Sequence, residues 1–151
     1  MLTCHRTTEA EKYLISDWRY EGEYALYHKA PYEEDKKTGR GFANPKNNYF
    51  SFVDGDKLVG YTNLVEGEKE IFVGAGVNPA YCGQGWGQEM LRQTCELSRA
   101  LFPGKPLYLE VRSWNARAVR CYEKAGFRID GEPFRKTTPL GEGVFYRMVK
   151  E

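Results

Sequence analysis

The stretch YCGQGWGQEML, residues 81–91, sets glycine at 83, 85 and 87 and then turns into helix-forming sequence. Glycine is favoured where the backbone takes left-handed dihedrals or where another group comes very close. A glycine turn that opens a helix leaves several backbone N–H groups without an intrahelical partner, and the helix dipole adds about half a positive charge there. Phosphate binds such a place readily. Two readings stay open on these residues alone: a flexible turn before a helix, and an anion cradle.

The spacing excludes two common nucleotide motifs. A dinucleotide fingerprint GxGxxG would need glycine at position 88, where Gln88 stands, and no GxxxxGK[ST] occurs in the chain. What remains is GxGxG following Val77, Asn78 and Pro79.

The elements that must hold this segment follow from period and punctuation. LTCHR, residues 2–6, reads as a short strand, and residues 9–28 read as helical, in one or two pieces. Residues 30–46 carry Pro31, Gly39, Gly41 and Pro45 among many charges, so a long loop is expected there. NYFSFV and KLVGYTNLV flank DGDK, an Asp-Gly turn that predicts a hairpin. EIFVGAGV is a further strand leading into the glycines, and a helix is expected from about Gly85 to Ala100. LYLEV alternates Leu107, Leu109 and Val111 against Tyr108 and Glu110. Asn115 is placed to cap a helix over ARAVRCYEKA, with Gly126 where a left-handed C-terminal glycine belongs. Residues 127–130 and 144–150 close the chain as strands. The expected class is α/β (α+β): an antiparallel meander followed by β-α-β-α-β in a mixed sheet, within one domain over residues 1–151.

Bulk properties narrow the function classes. The chain has 151 residues, 41% hydrophobic and 28% charged, which fits a folded globular domain and excludes a disordered one. Lys plus Arg number 22 and Asp plus Glu 21, so no global field draws nucleic acid or an anionic membrane, and neither is expected as a partner. No apolar run approaches the roughly 18 residues of a spanning helix. The start, MLTCHRTTEAEKYL, has no apolar h-region, so no signal peptide is expected. Four scattered cysteines without a CxxC pair, and two histidines, predict free thiols, no metal site and a cytoplasmic setting.

VNPAYCGQGWGQEML resembles the acyl-CoA-binding segment of the GCN5-related N-acetyltransferases, whose pattern is Arg or Gln, two residues, Gly, one residue, then Gly or Ala. Gly85 and Gly87 fit the small positions, and Cys82 stands where Arg or Gln is usual. VRSWNARAVRCYEKAGFRI is similar to the family's second signature, with Asn115, Ala118, Tyr122, Gly126 and Phe127 matching in order. The resemblance covers roughly residues 48–149.

It implies the acyl-CoA N-acyltransferase fold: a mostly antiparallel sheet with one splayed parallel strand pair and helices on both faces. It implies acetyl-CoA as cosubstrate, with no metal, and transfer of the acetyl group to a primary amine by direct attack in a ternary complex. Backbone amides of Cys82, Gly83, Gln84, Gly85, Trp86, Gly87 and Gln88 would hold the pyrophosphate. Ala75, Gly76 and Val77 would offer a strand edge to the pantetheine arm, a form of β-augmentation. Gly74 and Gly76 would let the thioester approach, or mark a bulge. Asn115 and Ala118 would border the same arm, Asn115 also serving as a plain cap. Tyr122 would be the general acid for the departing thiolate, against a packing role in the core. Glu70 is the candidate base, with Glu110 and bound water as alternatives.

The acceptor pocket is expected from the first helices, residues 30–47 and the C-terminal hairpin, with Trp18, Tyr20, Tyr24, Tyr27, Tyr32 and Phe42 as aromatic candidates. The acceptor amine (small molecule, peptide or protein N-terminus) is not named by the fold. A homodimer is left open. The rival reading from another class is a non-catalytic acyl-CoA-binding sensor or regulatory module.

Overall fold

A computed structural model describes residues 2–138 and 141–151. Strands β1 (Leu2–Arg6), β2 (Asn48–Asp54), β3 (Lys57–Glu66) and β4 (Ile71–Val77) form an antiparallel meander. β5 (Leu107–Arg112) joins β4 in parallel, and β8 (Gly141–Lys150) runs antiparallel beside β5. β6 (Arg128–Ile129) and β7 (Phe134–Thr138) both pair with β8, giving the path β1-β2-β3-β4-β5-β8-β6 with β7 off it. The expected mixed sheet and its parallel pair are present.

Four α-helices cover the sheet among the described residues: α1 (Glu9–Ser16), α2 (Tyr32–Thr38), α3 (Trp86–Leu101) and α4 (Ala116–Lys124). α3 buries Met90, Leu91, Thr94, Cys95 and Ser98, a stripe at helical spacing. It lies on Phe50, Phe52, Leu64, Ile71, Leu109 and Met148, with Val119 and Tyr122 of α4 packing alongside. A second, smaller core gathers Ile15, Tyr32 and Phe42 with Trp18, Tyr49, Leu58 and Tyr61. Alternation within β2 serves both, since Phe50 and Phe52 join the first core and Tyr49 the second.

The structure departs from the sequence expectations in four places. Residues 9–28 are not continuously helical: α1 ends at Ser16 and a 3-10 turn spans Gly22–Tyr27. The expected loop at 30–46 contains α2 and a 3-10 turn, Gly41–Ala43, closed by Gly39 at φ +70°. β7 is an added edge strand, unrecognised because FRKTT has no apolar alternation. The C-terminal strand begins at Gly141 rather than 144.

Candidate active site

The third glycine differs from the first two. Gly83 and Gly85 hold φ of +79° and +82°, in the left-handed region, and a Cβ on either would meet nothing within 4 Å. Gly87 instead lies beside α4, where an added Cβ would stand 3.1 Å from the Cys121 Sγ. The segment thus combines two left-handed residues facing open space with one close helix contact. Gly85 is the N-cap of α3 and supplies no side-chain cap, so the first N–H groups of the helix face outward without a side-chain acceptor.

A cleft of about 520 Å³ runs from this segment along β4 toward residues 20–27. Its origin is the short pairing between the parallel strands: only Ile71↔Leu107 and Phe72↔Tyr108 are in register. Ile71 N–H donates to the Pro106 carbonyl across the pair at 2.9 Å. Backbone groups alternate sides along a strand, so Ala75 and Val77 also face this edge, where β5 has already diverged. β4 stays in unbroken register with β3 from Ile71 to Val77, so there is no bulge at Gly74 or Gly76. Gly76 has another cause: a Cβ there would stand 2.4 Å from the Tyr61 ring, which leans across from β3 into the cleft.

Tyr122 lines the cleft, its ring edge-on to Phe127 at 6.3 Å. Its hydroxyl makes no hydrogen bond within the described residues, although burial pushes its pKa up and keeps it protonated. The ring packs against the core while the hydroxyl is left open to the cleft, where a ligand can supply its partner. Asn115, 6% exposed, uses both ends of its amide. Its Oδ1 accepts from Ala118 N–H at 3.1 Å, capping α4, and its Nδ2 donates to the Tyr27 hydroxyl at 3.0 Å. The cap therefore also ties α4 to the aromatic segment across the cleft. Tyr20 makes a second tie, donating to the Val77 carbonyl at 2.8 Å.

Among the sequence candidates, Ala75, Gly76, Val77, Cys82, Gly83, Gly85, Trp86, Gly87, Gln88, Asn115, Ala118 and Tyr122 all line this cleft. Gln84 lies between two lining glycines without lining it itself. Glu70 precedes β4 at the end remote from the glycines and does not line this cleft. Both its oxygens accept from Arg147, at 3.1 and 2.5 Å, which gives the carboxylate a structural partner. Glu110 does line the cleft, on the same face of β5 as Tyr108 and Arg112, and is bridged by Lys136 at 2.5 Å. Of the aromatic candidates, Tyr20, Tyr24 and Tyr27 line the cleft, whereas Trp18, Tyr32 and Phe42 pack in the second core.

Sequence reasoning missed Tyr61, Arg112, Arg117, Arg120 and Lys124, which line the cleft as well. The last three recur at 117, 120 and 124, a spacing that shares one helix face and was readable. Among the described residues no group of three or more His, Cys, Asp or Glu side chains is placed to hold a metal, and no helix is long and apolar enough to cross a membrane.

A sheet opened between two parallel strands, with a left-handed glycine turn feeding a helix at its mouth, defines an acyl-CoA transferase type of fold. The chain belongs to the acetyltransferase (GNAT) family, whose profile matches residues 11–127. Over 95 residues it is 36% identical to the N-alpha-acetyltransferase RimI of Mycobacterium tuberculosis, covering 59% of this chain and 57% of that relative's length. The solved spermidine N-acetyltransferase of Vibrio cholerae in complex with CoA and spermine has the same fold, with TM-score 0.76 at 19% identity over 99% of this chain and 94% of the other. So has the ribosomal-protein-S18-alanine N-acetyltransferase of Escherichia coli, with TM-score 0.70 at 21% identity over 99% and 92%.

Proposed function

We propose that this chain is an acetyl-CoA-dependent N-acetyltransferase that acetylates a primary amine by direct attack in a ternary complex. The observation that carries the reading is the unpartnered Tyr122 hydroxyl in the cleft where β4 and β5 part. A sensor would need the cleft but not a phenol held ready to donate.

The residues present fit acetyl-CoA. The turn at Gly83 and Gly85 and the first N–H groups of α3 suit a pyrophosphate, with Arg117, Arg120 and Lys124 adding positive charge along the same cleft. The diverged edge of β4 at Ala75 and Val77, where only the Val77 carbonyl is already engaged by Tyr20 and the Cys82 thiol, suits the amide groups of the pantetheine arm. Bound there, acetyl-CoA supplies an activated acyl group as a thioester.

Glu110 takes the place first assigned to Glu70, because it alone of the two carboxylates faces the cleft. It accepts the proton released by the attacking amine, directly or through a water. As the new C–N bond forms and the C–S bond breaks, the Tyr122 hydroxyl donates its proton to the departing sulfur. Burial keeps Tyr122 protonated at neutral pH, so the donor is in place before negative charge collects on the thiolate. Four free cysteines fit work in a reducing cytoplasm. Cys82 lies beside the glycine turn, and burial raises its pKa, so it is poorly suited to an acyl-enzyme route.

The test is release of free thiol from acetyl-CoA across a broad panel of amines. Amine-dependent release supports an enzyme, and tight CoA binding without release for any amine supports the sensor instead.

A further inference from the structure

The acceptor end of the cleft has an unusual balance of charge. Glu110 is the one carboxylate among its described lining residues, and Lys136 already bridges it. Arg112 lies two residues further along the same face of β5, about 6.7 Å away along the strand. Its guanidinium stacks on the Phe145 ring, 4.8 Å from the centroid, and makes no ion pair or hydrogen bond within the described residues. Room for it comes from Gly143 on β8, where an added Cβ would stand 2.4 Å from the Arg112 Nη1. Space is thus kept for a charged group that the protein itself does not neutralise.

Such a fork is suited to a planar carboxylate, which it can hold through two parallel hydrogen bonds. Glu110 and Arg112, of opposite charge on one face of β5 and both lining the cleft, suit an amine and a carboxylate that are close neighbours in one small molecule. A polyamine is a poor fit. Its further ammonium groups would meet Arg112 and Lys136, which both stand near Phe145, with Glu110 as the only carboxylate lining the cleft.

We propose that the acceptor is an amino-carboxylate, with the carboxylate on the amine-bearing carbon or the next one, and that Arg112 receives the carboxylate while Glu110 faces the amine. This rests on the acetyltransferase reading above. Arg112 is then the residue that sets acceptor class, and the aromatic walls at Tyr24, Tyr27 and Phe72 accommodate the remainder of the molecule.

The experiment is calorimetric titration of the CoA-saturated protein with glycine, L-phenylalanine, phenethylamine, L-phenylalaninamide and spermidine. At least one amino-carboxylate should bind on the order of tenfold or more tighter than the amine, the amide and the polyamine. Arg112→Gln should bring that ratio close to one, and Arg112→Lys should retain part of it. Equal or tighter binding of phenethylamine, the amide or spermidine overturns the proposal. So does failure of both amino-carboxylates to bind, or a preference that survives Arg112→Gln. The wild-type panel decides even where a variant fails to fold. CoA failing to bind at all overturns the acetyltransferase reading itself, whereas CoA binding without the preference overturns this proposal alone.

Discussion

Arg147 on β8 donates to both carboxylate oxygens of Glu70, the residue just before β4, across 77 positions of sequence. Arg147 also reaches Asp130 at 3.3 Å and lies over the Tyr108 ring at 4.6 Å. Glu70 is therefore part of a clasp joining the start of β4 to the far side of β5. Both side chains are about one-third exposed, so solvent screening limits its strength. Glu70→Gln should leave turnover within about twofold of wild type and cost roughly 1 kcal/mol or less of stability. Steady-state rates beside a urea melt check this, and a rate loss above tenfold at full stability would return Glu70 to the catalytic role.

Glu110→Gln should behave differently. The rate at neutral pH should fall, on the order of 10²-fold for loss of a general base. It should partly recover at alkaline pH, because more of the amine is then already neutral. A pH–rate profile of the variant superimposable on wild type would leave deprotonation to solvent.

Tyr122→Phe removes a hydroxyl with no partner in the protein, so stability should hold or rise slightly. CoA affinity should stay near wild type while kcat falls on the order of 10²-fold or more. Equal loss in binding and turnover would reassign the hydroxyl to holding CoA.

The strands and helices around the cleft were legible because period and punctuation agreed. The hairpin turn falls at Gly55-Asp56, one residue after the expected Asp-Gly pair begins, with Gly55 at φ +62°; α3 follows Gly85, and Asn115 caps α4 as expected. α2 was not legible: YEEDKKT is mostly charged and offers no apolar period over seven residues. The three glycines show a different limit. Sequence alone gives Gly83, Gly85 and Gly87 the same reason, yet two need positive φ and one yields to Cys121. Glu70 and Glu110 could not be separated either, since which strand end faces the cleft depends on where β4 and β5 stop pairing, a tertiary fact.

Burial raises the pKa of Tyr20, Tyr49 and Tyr122 above the ordinary tyrosine value. The folded state then holds protons that the unfolded state releases from about pH 10 upward. Stability should be intact below that pH and fall as pH rises toward the folded values. Thermal melts taken across that range should show a falling Tm, with a shallower slope in Tyr20→Phe. A flat Tm above pH 10 would mean these phenols are hydrated in the folded protein.

The most direct test of the cleft assignment is CoA binding to wild type and to Gly85→Asp, measured by calorimetry on protein shown to be folded. Gly85 sits at φ +82° at the head of α3, and a carboxylate there would face the incoming phosphates with the same sign of charge. Wild type should bind CoA, and Gly85→Asp should bind it more than tenfold more weakly, a loss of about 1.4 kcal/mol or more. Unchanged affinity in the folded variant would contradict the placement of the pyrophosphate at the glycine turn, and with it the account of this site.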